Sequence, residues 1–224
     1  MSSAEPSPAE APSPAGRLGF STAQTSDSLD AAGLREQVVR APIRPLRPGF
    51  RAAGRARTVR FGPAESAGDD PYDDMIDFID GIRPGELVVV AADGSDRSAL
   101  WGELFTAAAR GHGAAGVVCD GFTRDHDRVL ALDLPVFSRG ALPVDYRARQ
   151  RVVAVQEPVT CGGVRIVPGD LVVADDDGVV RVPADREAEV TGLASRRAGT
   201  EDRVLSALLD GDSLRDVWER FRVL

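Results

Sequence analysis

"GVVCDGFTRDHDRV", residues 116–129, sets a short apolar run directly against Asp120, Arg124, Asp125, His126, Asp127 and Arg128. A run this short, apolar throughout and opened by glycine, reads as a buried strand. The ions after it read either as a solvated turn or as a metal and anion site at the mouth of a sheet. Similar strands flank it. "ELVVVAAD" (Glu86–Asp93) is a second buried strand ending in polar residues, and "PVFSRG" (Pro135–Gly140) is a third. Between the first two, "SALWGELFTAAARGHG" (Ser98–Gly113) reads as a helix stopped by Gly111 and Gly113. Buried strand, helix, buried strand predicts an α/β core.

The rest of the chain adds to that core. "STAQTSDSLDAAGL" (Ser21–Leu34) reads as a helix capped at Ser21 or Thr22 and stopped by Gly33. "AGRARTVRF" (Ala53–Phe61) alternates as a strand does. Asp69–Asp80 is charged, then amphipathic and helix-like, and "QRVVAVQEPV" (Gln150–Val159) is a strand. "VRIVPGDLVVADDDGVVRVP" (Val164–Pro183) predicts three strands and two turns, which adds antiparallel structure. Three aspartates before Gly178 do not match the alternating ligands of a calcium loop, so Asp175–Gly178 reads as a hairpin turn with glycine supplying positive φ. Asp185–Leu224 predicts one or two amphipathic helices with a break at Gly211. Residues 1–16, made mostly of Pro, Ala, Ser and Glu, read as a disordered tail, and 17–224 as one domain.

Composition excludes several chemistries. All 27 basic residues are arginine, so Schiff-base catalysis, pyridoxal phosphate and a Walker-type phosphate loop are out. Two histidines, His112 and His126, are too few for a three-histidine zinc site. A net charge of −8 argues against nucleic acid as a partner. No apolar run is long enough to span a bilayer, and the N-terminus has neither the basic start nor the apolar core of a signal peptide. Cys119 and Cys161 form no CxxC pair and read as buried thiols in a reducing cytoplasm. No serine sits in a GxSxG elbow, and "GHGAAG" opens a strand rather than a helix, the reverse of the dinucleotide arrangement.

Two places remain where chemistry fits. A polar loop after a parallel strand is where open α/β sheets place ligands. There, Arg124 offers a planar fork for a carboxylate, and Asp125 a hard oxygen for Mg²⁺ or Mn²⁺. Such a pair suits a 2-oxo acid chelated to a metal; the alternative is a surface ion pair worth about 0–1 kcal/mol. The second place is "LWGELF". Glycine before Glu103 puts that carboxylate at a helix start, and the amides of Leu104 and Phe105 could hold a substrate carboxylate. The alternative is plain helix-dipole stabilisation of Glu103, about 0.3–1 kcal/mol. His112 reads as structural or solvated, and His126 stands beside Asp125 with no assigned role.

Together these segments resemble the family of 4-hydroxy-4-methyl-2-oxoglutarate aldolases and RraA-like regulators of ribonuclease E activity. The resemblance covers roughly residues 18–224 and rests on "STAQTSDSLDAAG", "WGELF", "RGHGAAGVVCDGFTRD", "LPVFSRG", "IVPGDLVVADDDGVVRVP" and "GTEDRVLSALLDGDSL". Its most specific element is an acid, twenty intervening residues, then Arg-Asp: Glu103, then Arg124-Asp125. The resemblance implies an α/β chain with a three-layer β/β/α swivelling fold. It implies trimers or hexamers with active sites between subunits. Asp125 would bind Mg²⁺ or Mn²⁺, Arg124 and the amides of Leu104 and Phe105 would hold the 2-oxo acid, and Glu103 would order metal-bound water. Glu201 would complete a neighbouring subunit's site. One departure is visible. Where the family often has an acid three residues after that Asp, this chain has Arg128.

The function expected is a metal-dependent carbon–carbon lyase acting on a small-molecule 2-oxo acid, by retro-aldol cleavage, oxaloacetate decarboxylation or both. With no lysine to form an iminium, a divalent ion must absorb the electrons of the pyruvate-type enolate. The alternatives are a protein-binding regulator of a ribonuclease and a lyase repurposed for a specialised pathway.

Overall fold

The computed structural model describes residues 18–40, 42–66, 68 and 70–224. The predicted disordered tail, 1–16, lies outside the described residues. In chain order the elements are α1 (Thr22–Ala31), β1 (Arg44–Pro45), β2 (Ala52–Pro63), α2 (Asp73–Asp80), β3 (Glu86–Ala91), β4 (Ala99–Trp101) and α3 (Glu103–Gly111). Then come β5 (Gly116–Cys119), β6 (Phe122–Thr123), α4 (His126–Ala131), β7 (Val136–Ser138), β8 (Gln150–Val155), β9 (Val159–Cys161) and β10 (Val164–Ile166). The chain closes with β11 (Leu171–Asp175), β12 (Gly178–Val182), α5 (Glu187–Leu209) and α6 (Leu214–Phe221).

The main sheet runs β1-β7-β5-β3-β2-β11-β12, with β8 also paired to β2. Strands β2, β3, β5 and β7 are parallel, and β11 and β12 join antiparallel. Period-2 alternation explains why β3 can be apolar at every position from Leu87 to Ala91. Val88 and Val90 face one layer, with Met75, Phe78 and Ile79 of α2, Ala109 of α3 and Val129 of α4. Leu87, Val89 and Ala91 face the other, with Val159, Cys161, Val164 and Ile166 of the β9–β10 hairpin. Helices on one face and a hairpin on the other make the three-layer β/β/α arrangement. A third cluster, with Leu29 of α1 and Val190 of α5, covers β11 and β12.

The local signals behave as sequence chemistry requires. Ser21 caps α1 in a full capping box with Gln24. Gly33 takes φ 77° just beyond that helix, and Gly211 takes φ 98° between α5 and α6. Asp175 pairs with Gly178 across the predicted hairpin turn, and Gly178 takes φ 150°. Both cysteines are fully buried, and burial pushes the Cys119 thiol up to about 12.

Two expectations change. The stretch Ser98–Gly113 is not all helix: Ala99–Trp101 forms β4 before α3 begins. The charged stretch after Gly121 is not an open turn but a two-residue strand, β6, followed by the six-residue helix α4.

One glycine marks a close approach. A Cβ on Gly54 in β2 would stand 2.5 Å from the Gly85 carbonyl oxygen and 3.1 Å from the Cβ atoms of Leu87 and Ala115. Backbone cannot yield as a side chain does, so Gly54→Ala is expected to cost about 1–3 kcal/mol. Urea unfolding should show a lower midpoint at unchanged slope; an unmoved midpoint would contradict this packing.

Candidate functional site

A cleft of about 570 Å³ opens where β4 and β6 end. These two short strands pair in parallel, with Ala99 opposite Phe122 and Trp101 opposite Thr123. The Arg124 amide then donates to the Trp101 carbonyl at 2.9 Å. That register brings together two motifs seventeen residues apart in sequence, "WGELF" (101–105) and "TRD" (123–125). Gly102 lets them meet closely: a Cβ there would stand 3.0 Å from Asp125 Oδ2 and 3.1 Å from Arg124 Cγ.

Asp125 sits at φ 58°, ψ 40°, the left-handed region that a short polar residue enters more readily than others. This turn launches α4, whose Arg128 and Val129 amides donate to the Asp125 carbonyl at 2.9 Å. The carboxylate makes no capping bond. It is left at the cleft mouth, with the Glu103 amide 3.5 Å from Oδ2.

Arg124 lies between two carboxylates. Nη1 donates to Asp145 Oδ2 at 2.6 Å, and Nε is 3.6 Å from Asp125 Oδ2. Asp145 is itself fixed, because the Arg147 amide donates to Oδ1 at 2.7 Å and the Tyr72 hydroxyl to Oδ2 at 3.1 Å. Burial, and then that bond to Asp145, hold the Tyr72 phenol above its usual pKa, so it remains a donor.

Glu103 is the first residue of α3, and Gly102 brings no side chain to cap it. The Leu104 and Phe105 amides find no acceptor among the described residues. They are free N–H groups at a helix N-terminus, which favours an anion. Both Glu103 oxygens accept from Arg128 Nη1, at 3.2 and 3.3 Å. Arg128 is 74% exposed, so this pair contributes about 0–1 kcal/mol at most.

The structure therefore brings Glu103, Leu104, Phe105, Arg124 and Asp125 into one cleft. It does not bring Glu201 to the cleft of its own chain. Glu201 lies on α5, where it accepts from Gln24 Nε2 at 2.7 Å and forms an ion pair with Arg197, whose Nε stands 2.7 Å away. His112 lies 3.4 Å from Asp80, in line with a structural or solvated histidine. Asp120, first of the ions in the quoted run, serves the opposite layer. It is 3% exposed, and Oδ2 accepts from the Gly162 amide at 3.0 Å. Burial pushes its carboxyl above the usual range.

Sequence reading missed Asp145, Tyr72 and Tyr146, all of which line the cleft. No local motif marks them. Asp145 arrives through a bridge beside Ala99, with the Ala99 amide donating to the Val144 carbonyl at 2.7 Å.

No three His, Cys, Asp or Glu side chains among the described residues are grouped to cage a metal ion. The donors at the mouth are carboxylate oxygens alone, with Asp125 making no cap on α4 and its Oδ2 3.5 Å from the Glu103 amide. Such a set suits a hard dication that keeps most of its own water, as Mg²⁺ does, and not a closed zinc site.

Residues 22–181 match the RraA-like family, described as Aldolase/RraA. Protein DlpA of Legionella pneumophila is 30% identical over 91% of this chain, although the match spans only 33% of DlpA. A Halalkalibacterium halodurans protein named "Putative 4-hydroxy-4-methyl-2-oxoglutarate aldolase" is 31% identical over 83% of each chain. Among solved structures, Streptomyces coelicolor RraAS2 superposes with a TM-score of 0.74. It is 31% identical, over 83% of this chain and 91% of its own, and is titled an unusual member of the RNase ES inhibitor RraA protein family.

Proposed function

The chain belongs to the RraA-like family, and on that premise we propose that it is a divalent-metal-dependent carbon–carbon lyase acting on a 2-oxo acid. One observation carries the reading: a guanidinium, two unpartnered helix amides and the Asp125 carboxylate converge on one cleft. A pure binding surface needs none of them.

Arg124 would grip the substrate carboxylate. Its bond to Asp145 fixes the fork, so little rotamer freedom is lost on binding. The Leu104 and Phe105 amides would take the same carboxylate from the other side. Asp125, with Glu103 close by, would hold Mg²⁺ or Mn²⁺, which when bound supplies Lewis-acid polarisation of the 2-oxo group. Glu103 would order water at the mouth and receive the proton released from the 4-hydroxyl as the C3–C4 bond breaks. Cleavage leaves a three-carbon enolate, which picks up a proton to become pyruvate. Loss of CO₂ from oxaloacetate leaves the same enolate, so one cleft serves both reactions.

The test is pyruvate release from a panel of 4-hydroxy-2-oxo acids and oxaloacetate with Mg²⁺ or Mn²⁺ present. Release that disappears with a chelator is expected; no release from any compound sinks the proposal. The second reading, a ribonuclease-binding regulator, draws on the likeness to RraAS2. Stoichiometric, metal-independent capture of a ribonuclease would favour it.

The chain is further proposed to assemble as a trimer or hexamer, each chain one domain spanning 17–224. Val204 and Val217 are buried within the chain, but Leu205 and Leu209 stay 57% and 79% exposed. Light scattering should give three or six chains; a fully active monomer would contradict this. No helix among the described residues is long and apolar enough to cross a membrane.

A further inference from the structure

Two of the three guanidinium nitrogens of Arg124 are already placed. Nη1 donates to Asp145 Oδ2 at 2.6 Å, and Nε faces Asp125 Oδ2 at 3.6 Å. Nη2 has no acceptor among the described residues. The guanidinium is planar, so fixing two of its nitrogens fixes the direction of the third.

Asp145 can set that direction because it is held from several sides. The Arg147 amide donates to Oδ1 at 2.7 Å, and the Tyr72 hydroxyl shares Oδ2 with Arg124, at 3.1 Å. The Asp145 backbone is bridged to Ala99, the first residue of β4. That strand runs on through Trp101 to Gly102 and the start of α3. One strand therefore places both the carboxylate beside the guanidinium and the free helix amides. Tyr72 is the residue before α2, and its ring stands edge-on to Tyr146 at 5.4 Å. Every one of these contacts lies within a single chain, so each holds whatever a neighbouring subunit adds to the cleft.

Charge alone would argue against an acid at this place. Asp145 offsets the positive charge of Arg124 and weakens its pull on an anion. Geometry argues for it. The Arg124 side chain is 38% exposed and has a long stem, so without an anchor it would sample many rotamers. We infer that Asp145 is a positioning residue for Arg124, holding Nη1 so that Nη2 meets the substrate carboxylate, and that Tyr72 steadies Asp145. Asp145 acts through the guanidinium and not on the reacting atoms. The inference rests on the 2-oxo acid reading of the same cleft, and adds two residues to it.

Oxalate binding in the presence of Mn²⁺ separates the two. Calorimetry on the full chain compares the parent with Asp145→Asn, Tyr72→Phe, Arg124→Lys and the Asp145→Asn, Arg124→Lys pair. Asparagine has one oxygen for the donors that Asp145 serves with two, and it lacks the charge. Asp145→Asn should weaken oxalate about tenfold, as loss of a charge-assisted hydrogen bond does, and Tyr72→Phe about threefold. The same losses should appear in KM for every 2-oxo acid cleaved, more than in kcat. In the Arg124→Lys background, Asp145→Asn should cost less than about twofold, because the fork it positions is gone. Equal or tighter oxalate binding by Asp145→Asn is what charge compensation alone would give; it overturns the inference and leaves the 2-oxo acid reading standing. A loss that is fully additive with Arg124→Lys also overturns it, by making Asp145 a support of the fold. The expected pattern in a protein that cleaves no 2-oxo acid upholds the inference and overturns the lyase. No oxalate binding by the parent overturns both.

Discussion

Asp125→Asn is expected to lower metal-dependent pyruvate release by about a thousand-fold, since Lewis-acid stabilisation is worth several kcal/mol and each 1.36 kcal/mol is tenfold in rate. The fold should not change. Asn enters the left-handed region as readily as Asp, so the φ of 58° carries no new strain. The backbone carbonyl that launches α4 is untouched, the side chain makes no capping bond to α4, and the Asn oxygen can still accept the 3.5 Å contact from the Glu103 amide. Only the charge is lost. Calorimetry with Mn²⁺ should show weakened binding, with the melting temperature held within a few degrees. Equal metal affinity in variant and parent would remove Asp125 from its assigned role.

Arg124→Lys is the second large effect, although it keeps the charge. Arginine reaches Asp145 with Nη1 at 2.6 Å and still has an edge to offer a ligand. A lysine ammonium is a point donor on a flexible stem and cannot hold both partners in one plane. The lost interaction is a charge-assisted hydrogen bond in a half-sheltered cleft, roughly 1.5–3 kcal/mol, or about ten- to a hundredfold in kcat/KM. The loss should fall equally on every 2-oxo acid tested, since Arg124 is assigned to the shared end of the substrate. A change under about threefold would reduce Arg124 to a structural partner of Asp145.

What the sequence made legible was local. β3 and β5 are unbroken apolar runs, and burial on both faces leaves no other reading. Ser21 with Gln24, Gly33 and Gly211 are chemical punctuation that works wherever it stands. Glu103 could be placed at a helix start because glycine precedes it and the helix pattern follows. The illegible parts depend on partners far along the chain. Ala99–Trp101 looks helical by itself and becomes a strand only because Phe122 and Thr123 lie beside it. α4, at six residues, is too short to show a period. Asp145 touches Arg124 and Tyr72 across separations of 21 and 73 residues, with no motif to announce either contact. Tyr72 and Tyr146, which also line the cleft, carry no local motif either.

In the proposed site Asp125 holds a divalent ion while Arg124 and the start of α3 hold the carboxylate of a 2-oxo acid. A crystal of the full chain soaked with Mn²⁺ and oxalate, a mimic of the pyruvate enolate, tests it directly. An anomalous manganese peak is expected against the Asp125 carboxylate, with oxalate between the ion and Arg124 and one oxygen on the Leu104 and Phe105 amides. Manganese bound away from Asp125, or oxalate absent from Arg124 at saturating concentration, would contradict it.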